Sequence, residues 1–430
     1  MKDKKIVLIE GCRTPFLRSG TDYMDLMSYQ LGQYAIKGLL RKTGLDPKQV
    51  DTVIMGTVIS NIKTSNVARE AALSAGIPES AYCHTVTMAC ISANRAIANG
   101  INELRLGHAD VVIAGGTDST SDTPIGYSKD MRKKLFKAQK LKGIGDMLKF
   151  AISLRPSDFV PDKPAVAEFS TNRTMGQDCE IMVSKFAVGR KEQDEFTVRS
   201  HQFAAEAAEK GWLSDEMTEV ALPPKFAPIK TDNGIRKDTT MAKISKLRPA
   251  FDKQNGSLTA ANSSFLTDGA AVVLLMTEDK AKELGLTPKA TIIDYTFTGQ
   301  SVEDELLLGP TYATSKLLNK QNRSLNDIDV FEFHEAFAGQ ILANLKCLAS
   351  DEFAQKHLGR DKAVGEIDLD KFNLWGGSLS IGHPFGATGA RLLTTAANRL
   401  LHENGKTALI AACAAGAHGH AMLIEKYTES

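Results

Sequence analysis

One stretch of this chain occurs twice, and that repetition restricts the fold more than any other feature. "LLRKTGLDPKQVDTVIMG" begins at Leu39 and "LLNKQNRSLNDIDVFEFH" begins at Leu317. Leu39, Leu40 and Lys42 match Leu317, Leu318 and Lys320, and Val50-Asp51 matches Ile328-Asp329, without a gap. Each copy reads as a helix end, a turn and a buried strand. A looser correspondence sets "MACISANRAI…ADVVIAGG" beside "GHPFGATGARLL…TALIAACAAG". Both run through a small-residue turn, a helix, a glycine-bearing hinge (Gly107; Gly405), an apolar strand and a glycine-rich exit. A duplicated strand-helix-strand unit predicts an α/β protein whose halves meet pseudo-symmetrically. Strand ends and helix starts from both halves would then border one shared site.

Between the halves, from Thr123 to Phe251, charge and loop signals increase. Ser128 to Pro161 is basic, and Leu135, Leu141, Ile144, Leu148 and Ile152 are spaced for an amphipathic helix or helix pair. Such a segment suits a cover over the active site, a face for a partner subunit, or a membrane-surface helix. The whole chain is 43% hydrophobic and 24% charged with a net charge of +1, which gives no electrostatic case for nucleic acid. No apolar run reaches transmembrane length. The opening "MKDKKIVLIEGCRTPF" reads as a strand rather than a secretory or Arg-rich targeting peptide. The expectation is a cytoplasmic protein, with a processed mitochondrial chain as the alternative.

The chemistry-bearing residues gather at strand ends. Cys90 stands where an extended segment gives way to a helix, a place whose free N–H groups and dipole favour a thiolate. His334 and Glu335 follow a buried strand in "VFEFHEAFAGQ". His383 precedes Pro384 in the glycine-rich "GGSLSIGHPFGATGAR". Cys413 closes the apolar run "TALIAAC" and is followed by Ala414, Ala415 and Gly416, small enough for a substrate to approach the backbone. One thiol can be a nucleophile with a histidine as its base, and the second thiol a separate acid/base. Six scattered cysteines without a C-x-x-C pair argue against both a disulfide framework and a zinc site. The histidine pair His418 and His420 has no neighbouring residues that complete a metal site.

These motifs, in this order, resemble the thiolases from end to end: "RTPF", "MACISANRAI", "AGGTDSTSD", "HEAFAGQ", "GGSLSIGHPFGATGAR" and "CAAGAHGHAM". Within that family, "HEAF" in place of "NEAF", together with "LLLGPTYAT" and "TAANSSFLTDGAA", is similar to the thiolase subunits of fatty-acid β-oxidation multienzyme complexes. The resemblance implies the thiolase fold: two βαβαβαββ halves in a five-layered αβαβα core with an inserted loop domain. The halves would be 1–122 with 256–285, and 286–430, around an insertion at 123–255. It further implies thiolytic cleavage of 3-oxoacyl-CoA, with CoA as co-substrate and no bound cofactor or metal. Cys90 would carry the acyl-thioester, His383 would be its base, and Cys413 the second acid/base. His383 and His334 would form one oxyanion hole, the backbone N–H groups of Cys90 and Ala415 the other, and Ser264 would lie near the pantetheine arm. A homodimer, an α chain with hydratase and 3-hydroxyacyl-CoA dehydrogenase activities in an α2β2-type complex, and peripheral membrane contact are the partners implied. Biosynthetic acetoacetyl-CoA condensation, or a non-catalytic lipid-binding scaffold on the same fold, are the alternatives; a ketosynthase would lack a counterpart of Cys413.

Overall fold

Both copies of the repeat build the same structure, and the residues that match do the same work. The computed structural model describes residues 4–162, 164 and 167–429; residues 1–3 and 430, at the outer ends of the two halves delimited above, and 163, 165 and 166, in the insertion, lie outside it. The first half contains β1 (Ile6–Arg13), α1 (Ser28–Thr43), β2 (Thr52–Gly56), α2 (Val67–Ala75), β3 (Tyr82–Val86), α3 (Ser92–Leu106) and β4 (Val111–Asp118). The insertion adds α4 (Lys129–Ala138), α5 (Ile144–Ser153), α6 (Met175–Lys185) and α7 (Arg190–Glu209), and β5 (Thr267–Thr277) returns to the first half. The second half contains β6 (Ala290–Gly299), α8 (Gly309–Lys320), β7 (Val330–Phe333), α9 (Ala338–Leu348), α10 (Thr388–His402), β8 (Thr407–Ala414) and β9 (His418–Lys426).

Asp51 and Asp329 show the equivalence at atomic level. The Asp51 carboxylate accepts the N–H groups of Asp110 and Val111 at the start of β4. The Asp329 carboxylate accepts those of Lys406 and Thr407 at the start of β8. Each aspartate thereby ties the turn before one strand to the start of its parallel neighbour, β2 to β4 and β7 to β8. The strand order is β3-β2-β4-β5-β1 in one half and β7-β8-β9-β6 in the other. In both, the strands paired with β4 and β8 from the central side, β5 and β9, run antiparallel. The halves join along a short seam, Val7 opposite Thr291 and Leu8 opposite Ala290.

Strand alternation then sorts the side chains into layers. Val111 and Ile113 of β4 face a core built with α1 and α2, whereas Val112 and Ala114 face α3 and α10. On the far side, Leu409 and Ala411 of β8 face α8 and α9. The result is helix, sheet, helix, sheet, helix, with α3 and α10 as the shared middle layer. Helix α10 is buried from Thr388 through Leu400. It fits because its partners are small: a side chain at Gly389 would strike Asn94 of α3, and one at Gly11 would strike Thr394.

The hinge after α3 is Gly107 in the left-handed conformation, as expected. After α10 the left-handed residue is Asn404, φ +52, and not Gly405. Asn tolerates that conformation. Gly405 is instead needed for space, because a Cβ there would press on Asp329 and Leu400.

The basic insert forms a helix pair. Gly126–Tyr127 pairs with Pro161–Asp162 as a short antiparallel base, and α4 and α5 rise from it. Lys134 stitches the pair by donating to Asp158 at 2.5 Å and to the Ser153 carbonyl. Helix α5 buries none of its residues, and Ile144, Leu148 and Ile152 stand in solvent.

Three glycines bring the halves together beneath the strand ends. A Cβ at Gly116 would strike the Gly386 carbonyl and press on the Gly56 carbonyl. Gly116→Ala is expected to lower stability by about 1–3 kcal/mol, the usual cost of overpacking. Gly145→Ala on exposed α5, where nothing lies within 4 Å of the new methyl, should leave stability unchanged or slightly raised. Denaturant titration of the two variants checks the difference.

Candidate active site

Cys90 sits on a tight turn between β3 and α3. Ala89 adopts φ +46, a conformation costly for a residue with a Cβ. The turn is held by Ser92, whose hydroxyl donates to the Ala89 carbonyl and accepts from Met88 N–H, both at 2.7 Å. Helix α3 therefore begins at Ser92 with Ile91 as N-cap, two residues later than the small-residue pattern suggested. The buried setting of the sulfur works against the expected lowering of the thiol pKa. Burial pushes Cys90 up to about 11, and the negative charges of Asp118 and Glu168 add to it. The N–H groups of Ala415 and of Cys90 itself point at the sulfur and act in the opposite direction, but burial wins.

The glycine-rich loop carrying His383 is fixed from both sides. His383 N–H donates to Thr267 Oγ1 at 3.1 Å, and Leu266 bridges to His383. The buried Asp118 carboxylate accepts from Gly386 N–H, from the Thr57 hydroxyl and from Val58 and Ile59 N–H. One side chain thus binds the end of β2, the end of β4 and the His383 loop together. His383 Nδ1 lies 2.6 Å from Thr388 Oγ1, and that hydroxyl donates to the Pro384 carbonyl at 3.3 Å. A hydroxyl with its only proton committed must accept from Nδ1–H. Nε2 is then the bare nitrogen, and it is buried without a partner. Burial, with Arg391 nearby, holds the ring's pKa down to about 3, so it is neutral with a free lone pair.

His334 leaves the end of β7 with its N–H on the Ala411 carbonyl of β8. Its ring centre lies 4.1 Å from that of His383. Nδ1 is 2.9 Å from Ser378 Oγ, and Nε2 is buried and unbonded. Burial, then His383 and Arg391, keep it well below the ordinary histidine pKa. The Cys90 sulfur and one nitrogen of each ring lie within 4.8 Å of one another. Cys413 closes β8, fully buried, its pKa raised well above the usual value by burial and by the proximity of Cys90.

Five of the residues picked from sequence therefore converge: Cys90 by side chain and backbone, His334, His383, Cys413, and the backbone of Ala415. Ser264 is half-buried on the segment that links the two histidine loops: its N–H donates to the Ala336 carbonyl, while Asn262 receives Ala338 N–H. His420, by contrast, turns into the core against Asn94 and, with His418, lies outside the one group of described residues spaced like metal ligands. Sequence reasoning missed Ser378, Thr388, Asp118 and Glu168. The first two had a faint signal, hydroxyls at fixed offsets inside the glycine-rich motif. Glu168, whose carboxylate receives Gly416 N–H at 2.5 Å beside Ala415, had none.

Comparison with known proteins adds independent findings. Residues 6–279 match the family model "Thiolase, N-terminal domain", and residues 286–426 match "Thiolase, C-terminal domain". The chain is 52% identical to the mouse protein "Trifunctional enzyme subunit beta, mitochondrial", covering 99% of this chain and 89% of the other. It is 44% identical to a "3-ketoacyl-CoA thiolase" of Yersinia pestis, covering 98% and 97%. The crystal structure of human mitochondrial 3-ketoacyl-CoA thiolase in complex with CoA superposes with a TM-score of 0.83 at 29% identity, covering 99% and 98%.

The raised pKa of Cys90 is open to direct measurement. Its rate of alkylation by iodoacetamide should keep climbing with pH towards about 11. A plateau reached by about pH 8 would instead reveal a thiolate favoured by its surroundings.

Proposed function

The chain belongs to the thiolase family and is an acyltransferase of the 3-ketoacyl-CoA thiolase type, and from that premise we propose how its own residues divide the reaction. The observation that carries the proposal is the meeting of the Cys90 sulfur with one nitrogen from each of two buried imidazoles, both of which have an unpartnered Nε2. His383 Nε2 takes the Cys90 proton as the sulfur attacks the 3-keto carbon of a 3-oxoacyl-CoA. The alkoxide that forms lies against the N–H groups of Cys90 and Ala415. Collapse breaks the C2–C3 bond and leaves the acyl group on Cys90. The released electrons form the enolate of acetyl-CoA, whose oxygen is met by His334 and by the now protonated His383. Cys413 gives its proton to C2, and acetyl-CoA departs.

In the second half the Cys413 thiolate takes the proton of the incoming CoA thiol, and that sulfur attacks the thioester. Collapse expels the Cys90 sulfur, which recovers its proton from His383. The shortened acyl-CoA leaves and every group returns to its starting form. Ser264 is placed beside the pantetheine arm. Its support is its position between the two histidine loops.

Assembly follows the same reading. β3 is an edge strand, paired with β2 on one side and half-exposed, and it leads directly to Cys90. Edges of this kind are normally covered, which supports a homodimer through β3. The mouse relative is named as a subunit of a trifunctional enzyme, which supports an α chain as a further partner. A cytoplasmic location is proposed, with the mitochondrion as alternative; among the described residues no helix is long and apolar enough to cross a membrane. The 123–255 insertion is read as a docking and cover domain. Within it, α5 exposes Ile144, Leu148 and Ile152, and the helix pair also exposes Lys133, Lys137, Lys142 and Lys149, a combination that favours the anionic surface of a bilayer.

Two sets of variants test these assignments. Cys90→Ala should form no acyl-enzyme and lose nearly all thiolysis. Cys413→Ala should still be acylated by a pre-activated acyl-CoA but exchange the α-protons of acetyl-CoA roughly 10²–10⁴-fold more slowly. Recovery of the acyl group on Cys413 by peptide mapping would reverse the roles. For the insert, Lys133→Glu, Lys137→Glu and Lys142→Glu together spare the structural Lys134. The triple variant should lose sedimentation with anionic liposomes while keeping thiolysis and α-chain binding; loss of α-chain binding alone would mark a protein-docking face.

A further inference from the structure

We propose that Ser378 is a positioning residue that fixes His334 in the tautomer carrying its proton on Nε2, with Arg391 orienting the serine. The inference rests on the reading of His334 as a donor to the enolate oxygen and supplies what that reading needs. A neutral imidazole has one proton, and a ring with its proton on Nδ1 would present a lone pair to a developing negative charge. Something must choose between the two forms.

The hydrogen-bond inventory makes the choice. His334 is wholly buried and kept neutral, so its tautomer rather than its charge is at issue. Ser378 Oγ has two partners among the described residues, His334 Nδ1 at 2.9 Å and Arg391 Nη2 at 3.4 Å. A guanidinium only donates. The serine oxygen therefore accepts from Arg391, the one acceptor for its own proton among the described residues is His334 Nδ1, and the imidazole proton is then left on Nε2. Arg391 is itself buried and held in place beside Glu332, 3.6 Å away. The other serine of the motif, Ser380, is turned away towards Ser200 and Gly377.

His383, in the same cluster around the sulfur, shows the opposite wiring. There the committed hydroxyl of Thr388 accepts from Nδ1–H and leaves Nε2 bare. Two adjacent, mutually tilted rings thus offer one acceptor and one donor to the site, each chosen by a hydroxyl behind it. The acceptor suits the proton of Cys90, and the donor suits the enolate oxygen.

A double-mutant cycle with Ser378→Ala and His334→Ala tests the proposal on the full-length enzyme. Ser378→Ala is expected to slow thiolysis about 10- to 100-fold, with kcat falling more than KM rises, since a transition-state donor is impaired. Acylation of Cys90 by a pre-activated acyl-CoA should remain near wild type. In the His334→Ala background, Ser378→Ala should cost less than about 2-fold, because its effect runs through the missing ring. Equal cost in both backgrounds would reduce Ser378 to a packing role and overturn the inference. A His334→Ala variant with full activity would instead sink the donor reading beneath it. Histidine-selective 15N spectra of the unmutated protein give a measurement that does not depend on variants folding: His334, assigned by through-bond correlation to its own backbone, should show a protonated Nε2, and a protonated Nδ1 would refute the proposal.

Discussion

The close approach of α3 and α10, at Asn94 and Gly389, is the constraint on which the rest of the molecule depends. Each helix begins from one of the reactive turns, so the crossing point sets how far Cys90 stands from His383. Neither helix touches solvent enough to drift, and α10 is enclosed by sheets on both sides. That enclosure brings two arginines, Arg391 and Arg399, inside the protein. Their charges are answered by Glu332, whose carboxyl burial raises to about 7 against the pull of Arg399 and Arg391. A buried ion network of this kind adds little net stability against an apolar replacement. Its value here is register, because a helix that slid by one turn would leave these charges unmatched.

The site at rest carries no charge on any group that reacts. Burial raises both thiols and lowers both imidazoles. An ion pair between Cys90 and His383 would be short-lived in such surroundings, since a low-dielectric interior disfavours isolated charge. Charge appears during the reaction, when aimed N–H groups are already in place to meet it. In the proposed division of roles, Cys90 is therefore activated by proton transfer in the act of attack rather than by a standing thiolate.

Much of this could be read from the residues. The paired Asp51 and Asp329 announced two equivalent turns, the run "TALIAAC" announced an apolar strand, and Cys90, His334, His383 and Cys413 stood out by type at strand ends. What escaped were features created by distant contacts. The start of α3 is set by the Ser92 hydroxyl reaching back over the turn, which periodicity does not report. The thiol pKa is decided by how completely the surrounding protein closes over the sulfur. Asn404 rather than Gly405 takes the left-handed hinge because Asp329, far away in sequence, needs the glycine's missing side chain. The hydroxyls behind the two imidazoles were hidden because a serine or threonine in a glycine-rich loop has many ordinary uses.

The duplicated architecture has a consequence for how the chain can change. Its two copies are alike in scaffold but no longer in chemistry: the turn before α3 holds the sulfur, and its counterpart before α10 holds the imidazole. The molecule is in effect a heterodimer on one thread, with its catalytic centre at the internal interface. Neither copy is a spare for the other. A lesion in one half has no backup in its twin, and a fragment comprising either half alone would inherit a framework without a reaction.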